Sequence, residues 1–159
     1  MSVEWNGGEF LAAMRQAVAK GLTETALAAE NIARRKMPPA PVAVKTGGKG
    51  GTVYAKAPNS SDPLGYPAHR TSALRNSLTT SVATPDNLRA AFGVFDGARG
   101  PGKFVLGQGA RGYPSYLEFK PVSRGGRRWA RRTINENVEL LAATFRVAAK
   151  REFARAAPR

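Results

Sequence analysis

The sequence predicts an α+β fold: two long helices packed on one face of a small, mostly antiparallel β-sheet, with long Gly/Pro-rich loops. Three observations predict it. Apolar residues recur at steps of three or four over about thirty residues near each end of the chain. Between those ends lie short apolar and aromatic runs bounded by turn residues. The connections are dense in proline and glycine, which stop helices and favour turns. With 159 residues and 42% hydrophobic content, the chain suffices for one domain with a single modest core, so 1–159 reads as one domain.

Residues 8–37 read as the first helix. Leu11, Met14, Val18, Leu22, Thr25, Ala29 and Ile32 form the expected apolar stripe. Asn6 is the candidate N-cap, Glu9 suits the positive end of the helix dipole, and Glu30 and Arg34 are spaced for an i,i+4 pair. Pro38-Pro39 ends the helix. Much of its surface is alanine, which lets a neighbour approach closely. Gly21 weakens the helix unless a close contact uses the gap.

Residues 38–69 read as a flexible arm, part of which is expected to order only against another subunit; a short strand over Thr52-Val53-Tyr54-Ala55 is the alternative. Thr71-Ser72 cap one or two helical turns that carry Leu74. An extended run over 77–83 follows, with Leu78 and Val82. Pro85-Asp86-Asn87 is turn chemistry, and 88–96 is a strand pairing with 77–83. Residues 97–112 form a second flexible arm around Phe104-Val105-Leu106. Tyr113 to Phe119 reads as a helical turn packed on the sheet. From Trp129 to about Ala156 a second long helix is expected. Its apolar face is Ile134, Val138, Leu141, Phe145, Ala149 and Phe153. Counting 100° per residue places Arg128, Arg132, Glu139, Arg146 and Lys150 on one flank, a mostly cationic one.

The chain has 25 basic and 11 acidic residues, a formal charge of +14. The excess grows along it, from +1 over residues 1–37 to +5 over 38–119 and +8 over 120–159. Such a field favours polyanions: nucleic acid, an anionic membrane or an acidic protein neighbour. The chain has no cysteine, which removes disulfides and thiolate metal sites and suits folding in cytoplasm. No run approaches the ~18 apolar residues of a membrane span, and MSVEWNGGEF lacks the features of a signal peptide, so no membrane partner is expected.

Catalytic chemistry has no visible carrier. His69 is the one histidine and lies in a polar loop, where a surface role is the plain reading. Asp62, Asp86, Asp96 and Glu118 form no recognisable acid motif. Gly47-Gly48-Lys49-Gly50-Gly51 looks like a phosphate loop but lacks its spacing and its strand–loop–helix frame. A nucleophile elbow is absent. No enzyme activity, cofactor or metal is therefore expected. Trp5 and Trp129 each open a helix and read as core closures, not stacking platforms. Glu118, held between Leu117 and Phe119, would want a cationic partner; Arg70, Arg75 and the arginines around Trp129 are candidates for a structural or inter-subunit ion pair.

Two short segments carry a resemblance. Thr71, Leu74, Arg75 and Ser77 resemble a Thr-Gly-x-Leu-Arg-x-Ser motif. Tyr113, Tyr116, Leu117, Glu118 and Phe119 resemble Tyr-x-x-Tyr-Leu-Glu-Phe-Gly. Arg128-Trp129 stands where an Arg-Pro-Phe-like step would open a C-terminal helix. In this order the segments resemble the head–tail connector or tail-completion (neck) proteins of long-tailed bacteriophages, the lambda minor tail protein Z type. The match departs at Ser72-Ala73, which replaces the motif glycine, and at Lys120-Pro121, which replaces Gly-Thr. The resemblance implies a structural virion protein of the neck, assembled in the host cytoplasm. It would form a homo-oligomeric ring of six copies, with head-completion or connector proteins on one side and a tail-tube or tail-terminator protein on the other. Packaged dsDNA would pass through the ring. Leu74, Tyr116, Leu117 and Phe119 would be packing anchors. Arg128, Arg132, Arg146 and Lys150 would face DNA or an acidic partner. The alternative expectation, resting on charge, is a stand-alone basic nucleic-acid-binding protein. A small hydrolase or toxin has no motif behind it.

Overall fold

The computed structural model describes residues 7–37, 43–44, 53–54, 66, 73–94 and 128–156. Among them the chain is mostly helical with small two-stranded sheets, an α+β composition. In order come α1 (Gly7–Lys36), β1 (Ala43–Val44), β2 (Val53–Tyr54), α2 (Ala73–Ser77), β3 (Thr79–Ser81), β4 (Ala91–Gly93), α3 (Trp129–Asn135) and α4 (Val138–Ala156). The strands form two ladders. β1 runs antiparallel to β2, with Ala43 opposite Tyr54 and Val44 opposite Val53, and β3 pairs with β4. By contacts the chain divides into two compact units. The first comprises Met1–Glu30, Thr80–Phe92 and Glu136–Arg159; the second comprises Asn31–Thr79 and Gly93–Asn135.

In the first unit, α1 and α4 meet through small residues. Phe10 lies edge-on to Phe153, with ring centroids 5.5 Å apart and planes at 83°. Further along, Gln16 Nε2 donates to Glu152 Oε1 at 3.0 Å, and Glu24 meets Arg151 at 2.6 Å. Between them Gly21 faces Phe145. A Cβ there would stand 2.8 Å from Cδ2 and Cε2 of the ring and 3.2 Å from the Ala149 Cβ. Ala13, Ala17, Leu141 and Ala148 are buried.

This corrects the expected stripe on α1. Of the expected residues Ala29 is buried and Val18, Leu22, Thr25 and Ile32 are half-buried, but Leu11 and Met14 are exposed, whereas Ala13, Ala17, Ala19, Ala26 and Ala33 are buried. Close approach selects the smallest side chains and leaves larger ones outside. On α4 the expected face holds at Leu141 and, half-buried, at Phe145, Ala149 and Phe153, but Ile134 and Val138 are exposed.

The segment over 80–92 anchors to α1 through polar groups. Thr23 Oγ1 donates to Ala19 O at 2.9 Å and accepts the Ala83 N–H at 3.0 Å, and both residues are buried. Thr80 Oγ1 donates to Glu30 Oε2 at 2.6 Å, in a place where Glu30 is itself buried. Thr84 and Asn87 exchange backbone hydrogen bonds at 3.0 Å across Pro85-Asp86, forming the expected turn. Ser81 Oγ ties the ladder by accepting from Ala91 N at 2.9 Å.

The second long helix is shorter than expected. Glu136-Asn137 forms a turn between α3 and α4, so 129–156 is two helices. Asn135 and Asn137 are poor helix formers because their side chains compete for the backbone. The Asn137 carbonyl accepts the Leu141 N–H at 2.9 Å and so opens α4.

Candidate functional site

The first motif is split between core and surface. Leu74 and Ser77 are buried, as is Leu78, while Arg75 is exposed. α2 is short because its last turn tightens: Leu78 N–H reaches the Arg75 carbonyl at 3.4 Å, an i→i+3 bond. Arg34 Nη2, from α1, donates to the Leu78 carbonyl. Leu74 thus sits in core as the anchor reading requires. Thr71 and the second motif, Tyr113 and Tyr116 to Phe119, lie outside the described residues, as do His69, Trp5, and all of the 97–112 arm.

The expected basic flank does not form one helical face. Arg128 precedes α3 with φ 48°, and Arg132 lies within it. Arg146 and Lys150 lie on α4, beyond the turn at Glu136-Asn137. The angular count holds only within a helix and does not carry across the turn at Glu136-Asn137. On α4, Arg146 and Lys150 are exposed and share a side; Arg146 Nε donates to the Ala142 carbonyl at 3.3 Å.

Sequence reasoning missed a cluster in the second unit. The Tyr66 ring has Lys36 Nζ at 5.5 Å and Arg132 Cζ at 5.9 Å from its centroid. Its hydroxyl lies 3.2 Å from Thr133 Oγ1, which is 0% exposed and donates its one proton to Trp129 O at 2.8 Å. Tyr66 must therefore be the donor to Thr133. Trp129 is buried, consistent with a core closure. Cations over an aromatic face gain ~0.5–1 kcal/mol each at exposed sites, so the ring holds two cationic heads in place without cancelling their charge.

No family model, curated protein or solved structure matches this chain.

Charge and exposed apolar surface are sorted between the units. The segments of the first carry 8 basic and 8 acidic residues, for a net charge of zero. Those of the second carry 17 basic and 3 acidic, which is the whole +14. Large exposed apolar residues follow the opposite pattern. Among the described residues, Ile134 alone belongs to the second unit; the rest, including Leu11, Met14, Leu140 and Val147, belong to the first. Among the described residues no group of three or more acidic or histidine side chains is placed to hold a metal, and no helix is long and apolar enough to cross a membrane.

Proposed function

We propose that this chain is a structural subunit of a phage or phage-derived particle, a neck protein that joins head to tail as a ring of six copies through which DNA passes. The observation that carries the reading is the second apolar face on the first unit's helices. Leu140, Ala143, Val147 and Ala154 recur at steps of three, four and seven along the outer side of α4, and Leu140 and Val147 are 56% and 65% exposed. Leu11 and Met14 do the same on α1. A domain that worked alone would gain nothing from such strips, whereas subunit interfaces are built around apolar centres with polar rims. Rings use heterologous contacts, in which one patch meets a different patch on the next copy.

In this reading the two long helices pack on one face of a small, mostly antiparallel sheet. The Leu74 motif fixes that framework from within. Arg146 and Lys150, beside the α4 strip, meet acidic surfaces of adjoining connector or tail-tube subunits. The particle is the site of action, after assembly in the host cytoplasm.

Mass measurement of the purified chain, alone and mixed with a tail-tube protein, tests this. The expected product is a ring of six times 16.9 kDa. Leu140→Glu with Val147→Glu is expected to abolish it while leaving the fold intact. A chain that stays monomeric in every mixture overturns the reading.

A further inference from the structure

We propose that the ring closes by one particular contact: the exposed turn of the 80–92 segment on one copy docks against the outer side of α4 on the next. This contact rests on the ring reading and names the two patches that meet. It assigns Arg146 to the next copy and leaves Lys150 for an adjoining protein.

The first unit puts these patches on different sides of itself. α1 touches the 80–92 segment through Thr23 and Glu30, and it touches α4 through Phe10 and Gly21. At 100° per residue Thr23 and Gly21 point about 160° apart, so the segment and α4 flank α1 on nearly opposite sides. Val147 is two residues from both Phe145 and Ala149, which meet Gly21, and so points about 160° away from that contact. A head-to-tail ring needs such an arrangement, because each copy offers different patches to its two neighbours.

Both patches have exposed apolar residues: Leu140 and Val147 on α4, Val82 and Leu88 on either side of the turn, with Val82 67% exposed. The turn is fixed before it docks. Thr84 and Asn87 bond each other's backbone at 3.0 Å, and Arg89 N–H reaches the Asn87 carbonyl at 2.8 Å. It therefore loses little freedom on binding.

Charge selects the occupant. Glu139 and Arg146 are exposed beside the α4 strip, about 20° apart round the helix and about 10 Å apart along it. Asp86 and Arg89 are exposed on the turn, three residues apart and so at most about 10 Å from each other. Among the described residues none of these four meets an opposite charge. Placing Asp86 of the next copy against Arg146, and its Arg89 against Glu139, pairs all four and sets the register. Leu11 and Met14 offer no such match. The exposed charge beside them is Arg15, and Glu9 lies about 160° round α1 from Leu11.

The test is mass measurement of two full-length variants, singly and mixed, under the conditions in which the wild type forms its ring. Leu140→Glu with Val147→Glu keeps the turn; Val82→Glu with Leu88→Glu keeps the α4 strip. Each alone is expected as a monomer of 16.9 kDa, and the mixture as a one-to-one dimer that grows no further. Asp86→Arg with Arg89→Glu should weaken assembly by about tenfold or more. Adding Glu139→Arg with Arg146→Glu to the same chain should restore it. The contact is overturned, and the ring left standing, if the Val82 and Leu88 variant still closes rings, if the mixture stays monomeric, or if the second charge reversal restores nothing. A wild type that stops at a dimer through two α4 strips, or stays monomeric in every mixture, removes the ring and this contact with it.

Discussion

At Gly21 two effects of known size oppose each other. Replacing a mid-helix glycine by alanine gains ~1 kcal/mol of helix propensity. Here the new methyl would stand 2.8 Å from two carbons of the Phe145 ring, and overpacking costs ~1–3 kcal/mol. Gly21→Ala should therefore destabilise the chain by about 1 kcal/mol in urea denaturation, and Phe145→Leu should suppress the loss. Additive effects of the two changes would refute the contact. Arg128 poses a backbone question. At φ 48° it occupies the left-handed region, which costs a side chain with a Cβ ~1 kcal/mol and which asparagine tolerates better. Arg128→Asn should raise the unfolding midpoint, by up to about 1 kcal/mol in free energy; a lower midpoint would mean that the arginine side chain contributes more than its backbone costs. The gap at Gly21 was legible as a question in the sequence, because a glycine inside a helix needs a reason. Arg128 was not, since nothing in Gly125-Gly126-Arg127-Arg128 shows which residue takes the positive φ.

At the level of elements, Thr23 joins α1 to the segment before the turn. Its hydroxyl is the acceptor for the buried Ala83 N–H. Thr23→Val keeps the shape and orphans that donor, so it should cost about 1–3 kcal/mol, whereas Thr23→Ser should recover most of it. A larger loss for Thr23→Ser than for Thr23→Val would show that the methyl matters more than the hydrogen bond. The Glu24–Arg151 pair is a different case. Arg151 is 47% exposed, so a double-mutant cycle should find under ~1 kcal/mol of coupling. The bounds of α1 were readable to within a residue from Pro38-Pro39 and the spacing of its apolar residues. Its buried face was misread because ranking residues by hydrophobicity favours Leu11 and Met14, while close helix contact favours alanine. The break in the C-terminal helix had a signal in Asn135-Glu136-Asn137, which an unbroken apolar count overrode. In the site, Leu74 could be found from its motif. Tyr66 could not, because only folding brings Lys36 and Arg132 to one ring.

For the whole molecule, the size of the positive charge was legible in the sequence but its location was not. The three sequence blocks spread the excess over +1, +5 and +8. The folded chain gathers all of it in one unit built from two separated segments, and one-dimensional counting could not join them. The consequence concerns how copies meet. Each carries +14, so approach of two chains is opposed at low ionic strength, however well their apolar strips fit. A polyanion that neutralised part of this charge would lower that opposition. Thermodynamic reciprocity then requires that self-association tighten the hold on the polyanion by the same factor. Light scattering at low salt should show larger species when short duplex is added, with the enhancement fading as salt screens the field. Such a subunit would oligomerise in response to its cargo.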